Sequence, residues 1–91
     1  MTIINVRTSE KFFNEIPYTE FILYVQDGKF NRMIRTTGKT PVVYVDENGV
    51  ILDEETRLDK VQLKNGDQIS VWFDVSGKVS QIDVILNNLD S

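Results

Sequence analysis

An alternation of apolar and polar side chains at residues 69–75 constrains the fold more than any other feature of this chain. Alternate residues of a β-strand point to opposite faces, so the apolar odd-numbered residues would share one face. They are Ile69, Val71, Phe73 and Val75, and the residues between them are Ser70, Trp72 and Asp74. Just before this segment, Asn65-Gly66 tolerates the backbone angles of a tight reversal. We predict a central or near-central strand that is entered through a tight turn.

Several other segments predict strands joined by short turns. Residues 21–25 are rich in β-branched and aromatic side chains, and Asp27-Gly28 is typical of a hairpin turn into a return strand at 30–36. The adjacent apolar pair Met33-Ile34 indicates a bulge or an edge position in that strand. Residues 42–45 predict a buried strand. The pattern at 79–86 favours a strand and leaves a short helix as the alternative.

One short helix is predicted at residues 9–16. Thr8-Ser9 can cap its N-terminus, and Phe12-Phe13 with Ile16 has the spacing of one apolar helical face. Pro17 would end the helix, because its ring excludes the preceding residue from the helical conformation.

Composition sets the class of protein and excludes several kinds of chemistry. With 91 residues and 41% apolar side chains, the chain fits one domain, residues 1–91. We predict an α+β fold of antiparallel hairpins with one short helix, and a β-grasp-like arrangement as its named variant. Cysteine and histidine are absent, which removes disulfides, thiolate nucleophiles and the commonest general base. We therefore expect a cytoplasmic, non-enzymatic protein without a metal, cofactor or small ligand.

Charge is distributed unevenly along the chain. Its net value of −4 disfavours direct nucleic-acid binding, and no apolar run approaches the ~20 residues of a membrane helix. Residues 28–45 contain four basic residues and no acidic one, whereas residues 46–59 contain six acidic residues and one arginine. The simplest interpretation is two solvated faces of neighbouring hairpins that attract each other weakly. Whether the basic stripe at 29–39 has a function stays open.

Two groups of residues are candidate sites, and both would bind another protein. The first is Trp72 with Phe73, since exposed aromatic side chains often anchor protein interfaces; the alternative is that the indole packs beneath the helix or another connection. The second is a set of carboxylates that could imitate nucleic-acid phosphates. Its members are Asp46, Glu47, Asp53, Glu54 and Glu55.

Residues 58–77 resemble the C-terminal part of ubiquitin-like β-grasp proteins. The resemblance rests on Leu63, the Asn65-Gly66-Asp67 turn, the strand that begins at Ile69 and the continuation from Phe73 to Gly77. It is most similar to the small sulfur carriers of molybdopterin and thiamine synthesis. Those proteins end in a free Gly-Gly whose carboxylate is activated, whereas this chain continues past Gly77. The resemblance therefore implies a binding member of the superfamily, without sulfur-transfer or conjugation chemistry.

Two functions follow from these patterns. The first is a protein-binding module, an adaptor or accessory protein, that acts through a sheet face or edge around Trp72. The alternative is a small acidic inhibitor, of the kind that phages or mobile elements carry. It would block a basic site of a nucleic-acid-binding enzyme with residues 46–59.

Overall fold

The computed structural model describes residues 1–86 and shows an all-β architecture. One sheet contains β1 (Thr2–Phe13), β2 (Ile16–Asp27), β3 (Phe30–Thr37), β4 (Pro41–Val45), β5 (Thr56–Arg57), β6 (Gln68–Phe73) and β7 (Val79–Ile85). Within these residues the only helical element is a single 3-10 turn, Leu58–Lys60. The predicted α+β class, with its β-grasp-like variant, is therefore wrong.

The strands follow the order β3-β2-β1-β6-β7-β4-β5 across the sheet. Neighbouring strands are antiparallel except β4 and β7, which run parallel. β1 and β6 pair only at Thr2 and Gln68, so a three-stranded part and a four-stranded part meet at a narrow seam. The seam is closed by backbone hydrogen bonds from Ile3 N to Asp67 O (2.9 Å) and from Ile69 N to Met1 O (2.9 Å).

The predicted turn before β6 stabilises this seam. Asp67 N donates to Lys64 O (3.1 Å), and Gly66 has a φ of 96°, a conformation that favours glycine. Gly66 N also donates to Ile3 O (2.8 Å), which ties the turn to β1. β6 is the fourth of the seven strands, so the prediction of a central strand behind a tight turn is confirmed.

The apolar faces of the two parts share one hydrophobic core. Ile3, Phe21, Leu23, Val25 and Ile34 come from the three-stranded part, and Val42, Leu58, Ile69, Ile82 and Val84 come from the rest of the chain. Ile69 is fully buried, as the alternation predicts. The strand itself is shorter than predicted, since β6 ends at Phe73 and Val75 lies exposed in the following turn.

The helix predicted at residues 9–16 is wrong. β1 continues to Phe13, where it pairs with Ile16 of β2, and the two residues between them, Asn14 and Glu15, have φ angles of 49° and 67°. Two successive positive φ angles make the type I′ turn that matches the twist of a hairpin. A helix of two turns is marginal by itself, and the long pairing of β1 with β2 supplies backbone hydrogen bonds that it lacks. Pro17 is tolerated because β3 does not extend alongside it.

The other local predictions have clear outcomes. Asp27 and Phe30 close the β2–β3 hairpin around Gly28, and β3 is the first strand of the sheet order, so the turn and the edge position are confirmed. Residues 79–85 form β7, which confirms a strand there. The single-domain prediction extends to residue 91, and residues 87–91 lie outside the described part of the chain.

Candidate functional site

The indole of Trp72 lies on the face of β6 opposite the core and is 58% exposed. Its Nε1 donates a hydrogen bond to Asp83 Oδ2 on the neighbouring strand β7 (2.9 Å). The other oxygen of that carboxylate accepts a bond from Gln81 Nε2 (2.7 Å). The ring is therefore both exposed and held in one orientation, with its only polar group already bonded.

Phe73 follows Trp72 at an irregularity in the pairing of β6 with β7. The register shifts between the two residues, so Trp72 pairs with Gln81 while Phe73 pairs with Val79. The extra residue of this irregularity, Ser80, lies on β7, and Phe73, the last residue of β6, is 43% exposed. Two large aromatic side chains thus reach solvent at the end of one strand.

The turn after Phe73 is fixed by the carboxylate of Asp74. Its Oδ1 accepts bonds from the Ser76 hydroxyl (2.6 Å), Ser76 N (2.9 Å) and Lys78 N (3.0 Å). These hydrogen bonds hold the pKa of Asp74 below its ordinary value. The bond from the Ser76 hydroxyl has the largest effect, followed by the bond from the Lys78 backbone N–H. This ordered turn restrains the strand ends that carry the aromatic residues.

The predicted acidic residues lie in an exposed, irregular segment after β4, and two of the five carboxylates stabilise local turns. Asp46 Oδ1 accepts bonds from Asn48 N (2.8 Å) and Val50 N (2.9 Å), and Asp53 Oδ1 accepts one from Glu54 N (2.7 Å). Glu47, Glu54 and Glu55 form no ion pair with any residue of the described chain.

The fold separates the acidic segment from Trp72. Val45, which precedes Asp46, is level with Gln68 of β6, four residues or about 13 Å from Trp72 along that strand. Thr56, which follows Glu55, is level with Val71, but β7 and β4 lie between β6 and β5, a lateral distance of about 14 Å. The sequence-predicted residues therefore form two sites, the aromatic pair and the acidic segment, rather than one.

Sequence reasoning missed two features. Asp83 and Gln81 orient the indole, and no local signal marks them, because their roles depend on the pairing of β6 with β7. The tip of the β1–β2 hairpin is also unexpectedly apolar, with Phe12, Phe13 and Ile16 well exposed. Asn14 was the signal that could have indicated this hairpin, because asparagine tolerates the positive φ of a two-residue turn.

Within residues 1–86, no group of three or more acidic, histidine or cysteine side chains is placed to hold a metal ion. The surface depressions are broad; one of about 590 Å³ lies where the end of β3 meets the β6–β7 turn. No helix in the described part of the chain is long and apolar enough to cross a membrane.

Comparison with protein-family models, curated proteins and solved structures finds no match for this chain. The resemblance of residues 58–77 to ubiquitin-like proteins stays a prediction.

Proposed function

We propose that this chain is a non-enzymatic, cytoplasmic protein-binding module that presents Trp72 and Phe73 to another protein. The observation that carries the proposal is the exposed indole whose Nε1 is bonded to Asp83. A large aromatic surface in water is unfavourable unless a partner covers it, and tryptophan is among the commonest energetic anchors of protein interfaces.

The hydrogen bond to Asp83 makes the indole a better anchor than a free side chain. Ordering a mobile side chain on binding costs about 0.5–1.5 kcal/mol. Here the hydrogen bond already restrains the ring before the partner arrives, and the indole N–H needs no acceptor from the partner. The partner surface we expect is an apolar pocket or groove with few charges.

Affinity capture from a lysate of the native host, followed by calorimetry on the recovered protein, tests this proposal. Truncation of an interface anchor costs at least about 2 kcal/mol, so Trp72→Ala should weaken binding roughly 30-fold or more. Asp83→Ala should weaken binding less, since it frees the ring without removing it. Phe12→Ala removes another exposed aromatic residue, at the tip of the β1–β2 hairpin, and should leave the affinity unchanged.

The wild-type protein and the Trp72→Ala variant must both be shown to be folded by circular dichroism. If the folded variant then binds the partner as tightly as the wild type does, the proposal is overturned. The single tryptophan offers a second readout, because its emission should shift to shorter wavelength when the partner covers it.

An acidic inhibitor of a nucleic-acid-binding enzyme is the second candidate function. It is supported by the three exposed glutamates that have no ion-pair partner in the described chain, Glu47, Glu54 and Glu55. It ranks second because Asp46 and Asp53 already accept backbone hydrogen bonds. An inhibitor of this kind should lose affinity steeply with added salt and through Glu54→Lys/Glu55→Lys, whereas Trp72→Ala should have no effect.

A further inference from the structure

Among residues 1–86, no strand pairs with the outer side of either edge of the sheet, and the two edges carry opposite charge. One edge is β3, whose strand neighbour in the described part of the chain is β2. The other edge is formed by residues 50–57, which follow β4 through a bridge of Ile51 to Val45 and through β5. We call these the basic edge (residues 29–37) and the acidic edge (residues 50–57).

The main chain of the basic edge is available for pairing. Gly38 N donates to Thr19 O (2.9 Å), and hydrogen-bonded pairs alternate along an antiparallel ladder. Counting back along the register, Met33 and Arg35 belong to the non-bonded pairs with Tyr24 and Ile22. Their N–H and C=O groups therefore point away from β2 toward solvent.

The main chain of the acidic edge is also available for pairing, at Ile51. Leu52 N donates to Tyr44 O (2.8 Å), and Val50 O accepts from Asp46 N (2.9 Å). The residue between them, Ile51, consequently directs its N–H and C=O away from β4. The exposed apolar side chains of Val50, Ile51 and Leu52 accompany these free backbone groups.

The charges of each edge oppose pairing with an identical edge. The basic edge contains Lys29, Arg32 and Arg35, and no acidic residue occurs between residues 28 and 45. The acidic edge contains three carboxylates, at residues 53–55, and one basic residue, Arg57, which is paired with Asp59. Like charges on adjacent strands destabilise a sheet, whereas opposite charges stabilise it. Pairing is therefore favoured between the basic edge of one copy and the acidic edge of another.

Contacts within the chain leave the basic edge accessible. Arg32 lies 3.4 Å from Asp27, and Arg35 lies 3.8 Å from Glu20, but both arginine side chains are about half exposed. Exposed pairs of this kind contribute little to stability, so they are easily exchanged for a stronger partner. At one corner, residues that follow the two edges are hydrogen-bonded, since Asp59 N donates to Gly38 O (3.0 Å).

We propose that copies of this chain assemble edge to edge, with the basic edge of one copy against the acidic edge of the next. The contact joins two different surfaces, so it is head-to-tail and extends into short open chains rather than a closed dimer. Few residues take part, so the association is weak and needs submillimolar to millimolar protein. It does not use Trp72 and stands independently of the proposed function.

Sedimentation equilibrium over a concentration series tests the assembly. At low salt the weight-average mass of the wild-type protein should rise past that of a dimer, and added NaCl should reverse the rise. Arg32→Glu/Arg35→Glu and Glu54→Lys/Glu55→Lys should each lower the association constant by about tenfold or more. Lys11→Glu/Lys64→Glu, on the inner strand β1 and in the turn before β6, should not lower it.

An equimolar mixture of the two edge variants is the decisive sample. The reversed basic edge of one variant complements the reversed acidic edge of the other, so the mixture should associate again. Met33→Pro should also prevent assembly, because it removes an outward N–H without a change of charge, whereas Met33→Leu should not.

Three results would overturn this inference: a wild-type protein that stays monomeric at millimolar concentration, a mixture that fails to associate, or an assembly that only Trp72→Ala abolishes. If the wild-type protein stays monomeric, the charges would serve only to prevent edge-to-edge association of different copies. In the third case the aromatic surface would be the contact between copies.

Discussion

Replacement of Glu15 by glycine should stabilise this protein, because Glu15 is one of two non-glycine residues with positive φ in residues 1–86. A residue with a β-carbon loses about 1–2 kcal/mol in the left-handed conformation. Glycine avoids this loss but has more conformational entropy in the unfolded chain, a penalty of about 0.5–1 kcal/mol. The balance for Glu15→Gly is a gain of about 0.5–1 kcal/mol, which for a domain of this size raises the melting temperature by roughly 2–8 °C.

The sign of this change distinguishes the hairpin from the helix that local spacing predicts. In a helix, glycine is less favourable than alanine by about 0.8–1 kcal/mol, so Glu15→Gly would be less stable than Glu15→Ala. In the hairpin, alanine keeps the unfavourable β-carbon, and the order of the two variants is reversed. Thermal melting followed by circular dichroism, checked by urea denaturation with equal slopes, measures the difference. A melting temperature of Glu15→Gly below that of Glu15→Ala would refute the turn assignment.

Three further changes test the core and two turns. Leu58→Ala should lower the free energy of unfolding in urea by about 2–5 kcal/mol, since Leu58 is fully buried, whereas Leu52→Ala, at a 45% exposed position, should lower it by less than about 1 kcal/mol. Gly38→Ala places a β-carbon 2.9 Å from Asp59 Cβ and should cost about 1–3 kcal/mol in the same assay. Asp74→Asn should lower the melting temperature at neutral pH. Hydrogen bonds from a hydroxyl and then from backbone N–H groups lower the folded-state pKa of Asp74, so its contribution is present above the ordinary pKa and is lost in acid. The difference from wild type should therefore shrink as the pH falls below about 4.

Turns with a strong local signal were predictable from the sequence. Asp27-Gly28 and Asn65-Gly66 each place a glycine where the backbone has positive φ, and both turns lie where the sequence puts them. The burial of Ile69 was equally predictable, because alternation over a few residues is enough to select one face of a strand. These features depend on neighbours in sequence alone.

The first hairpin could not be predicted in the same way. Asn14-Glu15 contains no glycine, and the apolar residues around it fit a helical face as well as a strand. What decides between them is the long pairing of β1 with β2, which includes every residue of β2 from Ile16 to Gln26. That pairing is a property of two segments together, and a short-range pattern in one segment does not contain it.

The candidate site shows the same division. Alternation along β6 correctly places Trp72 on the face away from the core, so its exposure could be predicted from the sequence. Its hydrogen bond to Asp83 was not, because the partner lies eleven residues away on β7. Alternation alone did not indicate the exposure of Phe73, which falls on the same face as the buried Ile69 but lies at the end of β6.

The parallel pairing of β4 with β7 determines where the charges of this protein lie. The basic residues of β3 and the acidic residues after β4 are close in sequence, and a simple meander would place the two strands side by side and neutralise them. Instead, β4 pairs with β7, and four strands separate it from β3 in the sheet order. The two charge runs therefore occupy separate open edges, where neither compensates the other along its length. Strand order is set by packing across the whole sheet rather than by these charges. The basic and acidic runs that the sequence places close together are therefore free to attract the opposite edge of a second molecule.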